Sequence, residues 1–545
     1  LATITSDLEN QLASAATLDN GSYRGAWIGI YRDKDNATSG GNNYTWRYAA
    51  GSPEAGVAFF QQNSSGGGGT PIDGRYNNFA EGQPDTSEAK EYAGQFFGNQ
   101  ALWNDLRGTD SFSSTFQYSV MGYVLEKDLA ASNVNLNAGS GNVTIGGGVG
   151  TSKALGTLQV TSANTMINGN GSVTTGTQSF SSGLTFNSAG SAVNVTIAAA
   201  GGGGGADISV VGAITVHGGD IQVDANLYST ASGADILLKA SGTVEIQDST
   251  SIKTDGGDLI LWSNSDNLNG GNVLTGQNVT LDSRQGVGGT GGGHIHIAGG
   301  ADTNGDGFPD QATAGIGNSA GGAAYGILFG TAAGSGVQLL SGGGDITLIG
   351  GVDASFVAAA NAHGIGFYPG YTINAGAGSI SFDGSANSGG ATTIGIDLMT
   401  FGAQNASSIT TTEDLTLNGV TTVANGDGNL GIILNTGLTV NAGSADITGD
   451  SDDAGVILNG AVISNGTISI KGNSYSFSSG SVSGQGTLTI EPLTTSTSFS
   501  SAFSTSSLTL GSTLTGLTIG KPTNTADVTI DTAIDIAGPL TVYGP

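Results

Sequence analysis

Two patterns of hydrophobic and polar positions divide the chain. Beyond Asp128, short runs alternate apolar and polar residues and are flanked by Gly, Asn or Asp, as in Gly344-Asp345-Ile346-Thr347-Leu348, Gly378-Ser379-Ile380-Ser381-Phe382 and Gly466-Thr467-Ile468-Ser469-Ile470. Period-two alternation marks half-buried strands, and the flanking residues supply turns. A second unit recurs beside the first: Gly326-Ile327-Leu328-Phe329, Gly364-Ile365-Gly366-Phe367, Gly395-Ile396-Asp397-Leu398, Gly431-Ile432-Ile433-Leu434 and Gly455-Val456-Ile457-Leu458, at intervals of 38, 31, 36 and 24 residues. Unequal intervals around a constant unit fit coils that carry loops of different length. The pattern predicts a β-solenoid over 128–545, in which stacked coils bury ladders of Val, Ile and Leu and Gly turns the tight corners. At about 20–25 residues per coil and ~4.8 Å per rung, the array would be a rod on the order of 80–100 Å long. A tandem array of β-sandwiches is the competing arrangement, but no ~100-residue repeat with a core Trp supports it.

Composition narrows the choice. Gly makes up 96 of 545 residues with only 9 Pro and no Gly-X-Y period, which excludes collagen. A hydrophobic content of 37% excludes wholesale disorder. Lys and Arg number 14 against 43 Asp and Glu, a net charge of −29, which argues against nucleic acid and anionic membrane surfaces as partners. The absence of Cys rules out disulfides, iron–sulfur clusters and thiolate zinc sites, and no run approaches the ~20 apolar residues of a transmembrane helix. The charge is uneven: residues 1–127 hold 8 basic and 14 acidic residues, and 128–545 hold 6 and 29. Three of the four Trp (Trp27, Trp46 and Trp103) lie in the first part. This shift places a boundary near Asp128, between an aromatic-rich module and the array.

The array resembles the right-handed parallel β-helix of filamentous-haemagglutinin-like bacterial adhesins and exoproteins. The resemblance lies in strings such as Ala234-Asp235-Ile236-Leu237-Leu238-Lys239-Ala240, Gly242-Thr243-Val244-Glu245-Ile246, Gly257-Asp258-Leu259-Ile260-Leu261-Trp262 and Asp527-Val528-Thr529-Ile530. It implies a secreted, surface-exposed stalk or fibre. Because Leu540-Thr541-Val542-Tyr543 still reads as a coil strand, the natural polypeptide is expected to continue past Pro545.

The first module resembles a C-type lectin-like domain, a small α+β fold. Four blocks carry this in order: Leu1 to Asn10 as the start of a helix, Trp27-Ile28-Gly29-Ile30 as a core strand, Gly82-Gln83-Pro84-Asp85 as the sugar-selecting loop, and Trp103-Asn104-Asp105 with Gly122-Tyr123-Val124-Leu125-Glu126 as closing strands. The family has strand residues before the first block, so Leu1 is not expected to be the domain's true start. Gln83, Asp85, Asn104 and Asp105 are amide and carboxylate oxygen donors, which suit Ca²⁺, and Pro84 between two donors is placed for a cis peptide. The resemblance implies that the bound calcium takes two sugar hydroxyls, with the Gln-Pro-Asp order associated with galactose-type specificity. One departure matters. Lys90 stands where the family places a Glu ligand, two residues before Tyr92. Either Glu88 or Glu91 substitutes, or the calcium site is weakened or lost. The alternative for this module is a lectin-like scaffold that binds protein or packs on its neighbours.

A second metal signal lies within the array. Asp302-Thr303-Asn304-Gly305-Asp306-Gly307-Phe308-Pro309-Asp310 fits D-x-N-x-D-G-x-x-D, with side-chain donors from Asp302, Asn304, Asp306 and Asp310 and the Phe308 carbonyl at the seventh position. Thr313 stands where an EF-hand has Glu, and the loop resembles the calcium loops of thrombospondin type 3 repeats and dockerins. It is expected to be a structural insert at 302–310. His294 and His296, two apart on a strand, would share a face and are expected to be surface imidazoles rather than a metal pair. The array's six basic residues (Lys153, Lys239, Lys253, Arg284, Lys471 and Lys521) are scattered in sequence, so a lyase groove, which needs a base beside carboxylate-bound calcium, is not expected, and no enzymatic activity is assigned.

The chain is therefore expected to be mainly β: a C-type lectin-like domain over 1–127, then a right-handed parallel β-helix over 128–545. As a bacterial cell-surface adhesin it would display a calcium-dependent module to glycans or matrix polysaccharide. The alternative function is a structural subunit of an extracellular filament, self-associating end to end.

Overall fold

The computed structural model describes residues 207–545 apart from 269, 287–288, 316–322, 353–360, 388–391, 400–405 and 423–427, together with shorter stretches of 1–206. Two compact units divide the chain, Leu1–Ala130 and Ala131–Pro545. Among the described residues no helix is long and apolar enough to cross a membrane.

In the first unit a seven-stranded sheet runs Gly69–Pro71, Ala58–Gln62, Thr45–Tyr48, Gly25–Asp33, Glu91–Phe96 and Trp103–Arg107, with Val120–Tyr123 parallel to Gly25–Asp33. Ile28, Ile30, Trp46, Tyr48, Phe59, Phe60 and Trp103 form its core. The two large indoles are anchored as well as buried, which removes the penalty of an unpaired N–H: Trp46 Nε1 donates to Gln62 Oε1 (3.2 Å) and Trp103 Nε1 to Asn10 Oδ1 (2.7 Å). Asn10 and Ala13 have helical backbone, and the Asn10 N–H bonds the Ser6 carbonyl (3.0 Å).

The second unit is a β-solenoid whose coils present three strands each. The coil from Ile346 is representative: Ile346–Val352 lies on the first face, Asn361–Phe367 on the second and Thr372–Gly376 on the third. From Ile346 to Tyr475 the strands pair in parallel with their equivalents one coil on. The first faces form a 15-stranded sheet, and the second and third share a 24-stranded one. The alternation read from the sequence is the packing pattern. Ile346, Ile380 and Leu415 stack in one inward row, and Leu348, Phe382 and Leu417 in the next. On the second face, the five Gly-led units fall in register, Ile327 to Ile365 to Ile396 to Ile432 to Val456. All these inward residues have at most 1% exposure, each contributing ~1.5–3 kcal/mol by leaving water.

Coil length differs from the 20–25 residues expected. On the first face Thr165 pairs with Leu184 and Ile295 with Ile346, so a coil measured there takes as few as 19 residues and as many as 51. The surplus is spent on loops, and a 15-stranded face at ~4.8 Å per rung spans about 70 Å, shorter than the length expected.

Two corner devices hold the coils in register. Before the first face, four successive coils cap the next: Asp235 Oδ1 accepts the Asp258 N–H (2.7 Å), Asp258 Oδ1 the His294 N–H (2.8 Å), His294 Nδ1 the Asp345 N–H (3.0 Å), and Asp345 Oδ1 the Ser379 N–H (2.8 Å). After the third face, buried hydroxyls donate to glycine carbonyls, as Ser283 Oγ does to Gly293 (2.7 Å) and Ser464 Oγ to Gly443 (2.8 Å). Both devices satisfy peptide groups that a turn would otherwise leave unpaired.

Between the first and second faces the backbones meet without side chains. A Cβ on Gly364 would lie 2.5 Å from the Ser385 nitrogen and 2.6 Å from the Gly395 oxygen. Gly364→Ala is therefore expected to cost ~1–3 kcal/mol, read as a lower melting temperature, whereas Gly544→Ala, with open space around it, leaves melting unchanged.

Candidate metal centre

The Asp302–Asp310 loop grows from a first-face strand. Ile295–Gly299 ends in a hairpin closed by an antiparallel bridge, in which the Gly299 N–H bonds the Gln311 carbonyl (2.8 Å) and the Gln311 N–H the Gly299 carbonyl (3.2 Å). This hairpin is part of the surplus in the 51-residue coil. Inside it the acidic side chains fold the backbone around themselves. Asp302 accepts the Gly305 (2.6 Å) and Gly307 (3.0 Å) N–H groups, Asn304 Oδ1 that of Asp306 (2.9 Å), and Asp306 Oδ1 that of Phe308 (2.9 Å). Gly307, at the sixth position, has φ of +95°, a conformation that costs other residues strain. Asn304 Nδ2 lies 3.1 Å from both Asp306 Oδ2 and Asp310 Oδ1, so these groups converge. Hydrogen bonds from Thr303 hold the Asp310 carboxyl below the usual carboxylate range.

The donor set has the hard-oxygen chemistry of a calcium loop. Among the described residues no three Asp, Glu, His or Cys side chains form a cage by themselves. The Asn304 amide and the Phe308 carbonyl would have to complete the sphere, with Asn304 turning its oxygen inward.

The loop rests on a pad that the sequence reading missed. Phe308 packs at 5.1 Å on His296 and 6.3 Å on His294. His296 Nε2 lies 2.8 Å from the Pro309 carbonyl, and burial pushes the His296 imidazole down from its ordinary range. Beside them Trp262 Nε1 donates to the Gly300 carbonyl (2.7 Å), and Lys239 Nζ sits 3.4 Å from the Trp262 ring centroid. His294 is exposed at the surface, as expected, whereas His296 is half-buried. His294 is a rung of the corner ladder, and both support the loop. Their spacing of two showed that they share a face, but nothing in it revealed what covers that face.

In the first unit the Gln83–Pro84 peptide bond is cis. The Pro84 carbonyl accepts from Gln62 Nε2 (3.2 Å) and the Gly68 N–H (3.2 Å), which ties the loop to the core. The preceding residues run along the strand that carries Asn104 and Asp105: the Ala80 N–H bonds the Trp103 carbonyl (2.9 Å), and the Trp103 N–H the Asn78 carbonyl (2.8 Å). Asn104 pairs with Gln95 and Asp105 with Gly94, while Glu91 stands opposite Arg107. The backbone thus brings the Gln83 loop and the Asn104–Asp105 strand side by side. Asp85, Glu88 and Lys90 lie outside the described residues, as do the side chains of Glu91, Asn104 and Asp105.

Two polar clusters were not legible in the sequence. Lys253 and Arg284, 31 residues apart in sequence, meet on one buried acid. Arg284 grips Asp282 with Nε (2.8 Å) and Nη2 (2.9 Å), and Lys253 Nζ lies 3.4 Å away. Although burial raises it, the combined pull of Arg284 and Lys253 holds the Asp282 carboxyl below its usual range. The second cluster is His363, whose Nδ1 is 3.3 Å from Asp397 Oδ2, stacked at 4.7 Å on Tyr325. Both members of the pair are buried, which suits a cross-link between coils.

Arg284→Met is expected to destabilise the chain by about 2 kcal/mol in a denaturant titration, less than the 3–5 of a fully buried pair because Lys253 remains. A carboxyl whose folded pKa is lowered contributes stability above its unfolded value and loses it as pH falls through the folded value. The difference between wild type and Arg284→Met therefore holds at pH 7 and shrinks below about pH 3.8. Comparison of the chain with family models, with curated proteins and with solved structures gave no match.

Proposed function

We propose that this chain is an extracellular display protein. In this reading a C-type lectin-like module over 1–127 is presented by a right-handed, filamentous-haemagglutinin-like β-helix over 128–545, and the whole serves as a bacterial surface adhesin for glycans or matrix polysaccharide. The observation that carries the reading is the unbroken first-face ladder of 15 strands. An array in which every coil is bonded to the next resists bending and sets a fixed distance, and weak sites held on such spacers gain avidity through multivalency. The placement of the cis Gln83–Pro84 loop beside the Asn104–Asp105 strand supports the sugar-binding assignment to Gln83, Asp85, Asn104 and Asp105, with Glu88 or Glu91 as a further ligand. Calcium held by Asp302, Asn304, Asp306, Asp310 and the Phe308 carbonyl would stiffen the 302–310 insert and bind only the folded coil.

Calorimetry on the whole chain tests both sites. Calcium should bind in two classes. Asp306→Ala removes one class and with it the calcium-dependent gain in stability, which for wild type is ~2.7 kcal/mol at a hundredfold excess over Kd. Asp105→Ala removes the other class and with it any affinity for galactose. A folded chain that binds calcium at the insert but no sugar, and that forms end-to-end fibres under the electron microscope, would instead be the structural subunit of a filament.

A further inference from the structure

The second-face ladder opens once in its C-terminal part. Tyr475–Phe477 pairs with Val456–Leu458 beneath it. The strand that follows in the next coil, Phe503–Ser504, pairs only with Val528–Thr529. The other two faces stay bonded across the same step, Ile468 to Leu488 on the first and Val482 to Leu510 on the third. The coils are therefore splayed on one side only, and a cavity of about 260 Å³ lies in the gap.

The gap exposes the core. Val456 and Leu458 are fully buried, whereas their successors Tyr475 and Phe477 are only half-buried. Aromatic rings form the walls. Tyr475 and Phe477 lie nearly parallel (20°), as do Phe499 and Phe503 (22°), and Tyr475 meets Phe503 edge-on at 5.4 Å. The Tyr475 hydroxyl is already committed to the Ile470 (3.1 Å) and Glu491 (2.6 Å) carbonyls, so the ring is fixed. The rim is hydroxylic, with Ser476 and Ser501 exposed at the mouth, and none of the lining residues is charged.

We propose that this cavity is a calcium-independent binding site for one neutral pyranose ring. A sugar ring has an apolar C–H face and a polar edge, the same division as aromatic walls under a serine rim. The volume is below the ~300–1,000 Å³ of pockets for drug-sized ligands and suits a single ring. Without a charged lining residue, a uronate carboxylate would enter unpaired. The site is separate from the calcium-dependent module of the proposed function and does not depend on it.

The test uses the whole chain in EDTA, with methyl β-D-galactopyranoside, methyl β-D-glucopyranoside, N-acetylglucosamine and galacturonate as probes, followed by saturation-transfer NMR and calorimetry. At least one neutral sugar should bind saturably, and galacturonate about tenfold more weakly. Ser501→Trp and Ser476→Trp, which block the mouth without touching the core, should each weaken binding about tenfold at unchanged melting temperature; Phe477→Leu in the wall, which packs on the core, should weaken binding and also lower the melting temperature. The proposal is overturned if no probe binds in EDTA, or if both rim variants bind like wild type. Binding that needs calcium and disappears in Asp105→Ala would belong to the N-terminal unit and would equally overturn it.

Discussion

Hydrogen bonding between successive coils is the constraint on which the solenoid rests. Every strand offers its peptide groups to the coil on either side, and a buried peptide group without a partner costs ~1–3 kcal/mol. Register must therefore be kept to the residue even where the connecting chain varies from coil to coil. The molecule meets this by holding the inward Ile-x-Leu positions constant and letting length vary only at the corners and in loops. The insert at 302–310 is tolerated for that reason: its hairpin leaves and rejoins between the Ile295–Gly299 strand and the next face without disturbing the pairing of Ile295 with Ile346.

The same constraint accounts for part of the unusual charge. Asp235, Asp258 and Asp345 are acceptors for the next coil's backbone. A carboxylate suits this position because it accepts without donating and reaches across one rung. Acidic residues at these corners are thus part of how the coils stack, and the net charge of −29 is in this measure a by-product of architecture.

Legibility followed the range of the interactions. The Gly-Ile-x-Leu units could be read because alternation within one strand is a local signal, and each fell on its expected row. The insert at 302–310 could be read because its Asp, Asn and Gly residues crowd into nine positions. Coil length could not be read, since loops obey no period. The Asp282 cluster was hidden because Lys253 and Arg284 come together only through stacking, and the pad of Phe308 on His296 because it depends on how a hairpin folds back over a face. The Asp before Ile236, Leu259 and Ile346 was visible as a motif, but its role as a cap on the following coil emerged only from the register.

A stack bonded by one rung after another behaves as a chain of links in series. Tension along its axis falls on every inter-coil step equally, and the step with fewest bonds yields first. The step above Tyr475–Phe477 has lost one of its three ladders. Steps that have lost a ladder, this one and those beyond Leu510, where the third-face ladder ends, are where an array pulled from its ends would part first, with the fully bonded coils still folded.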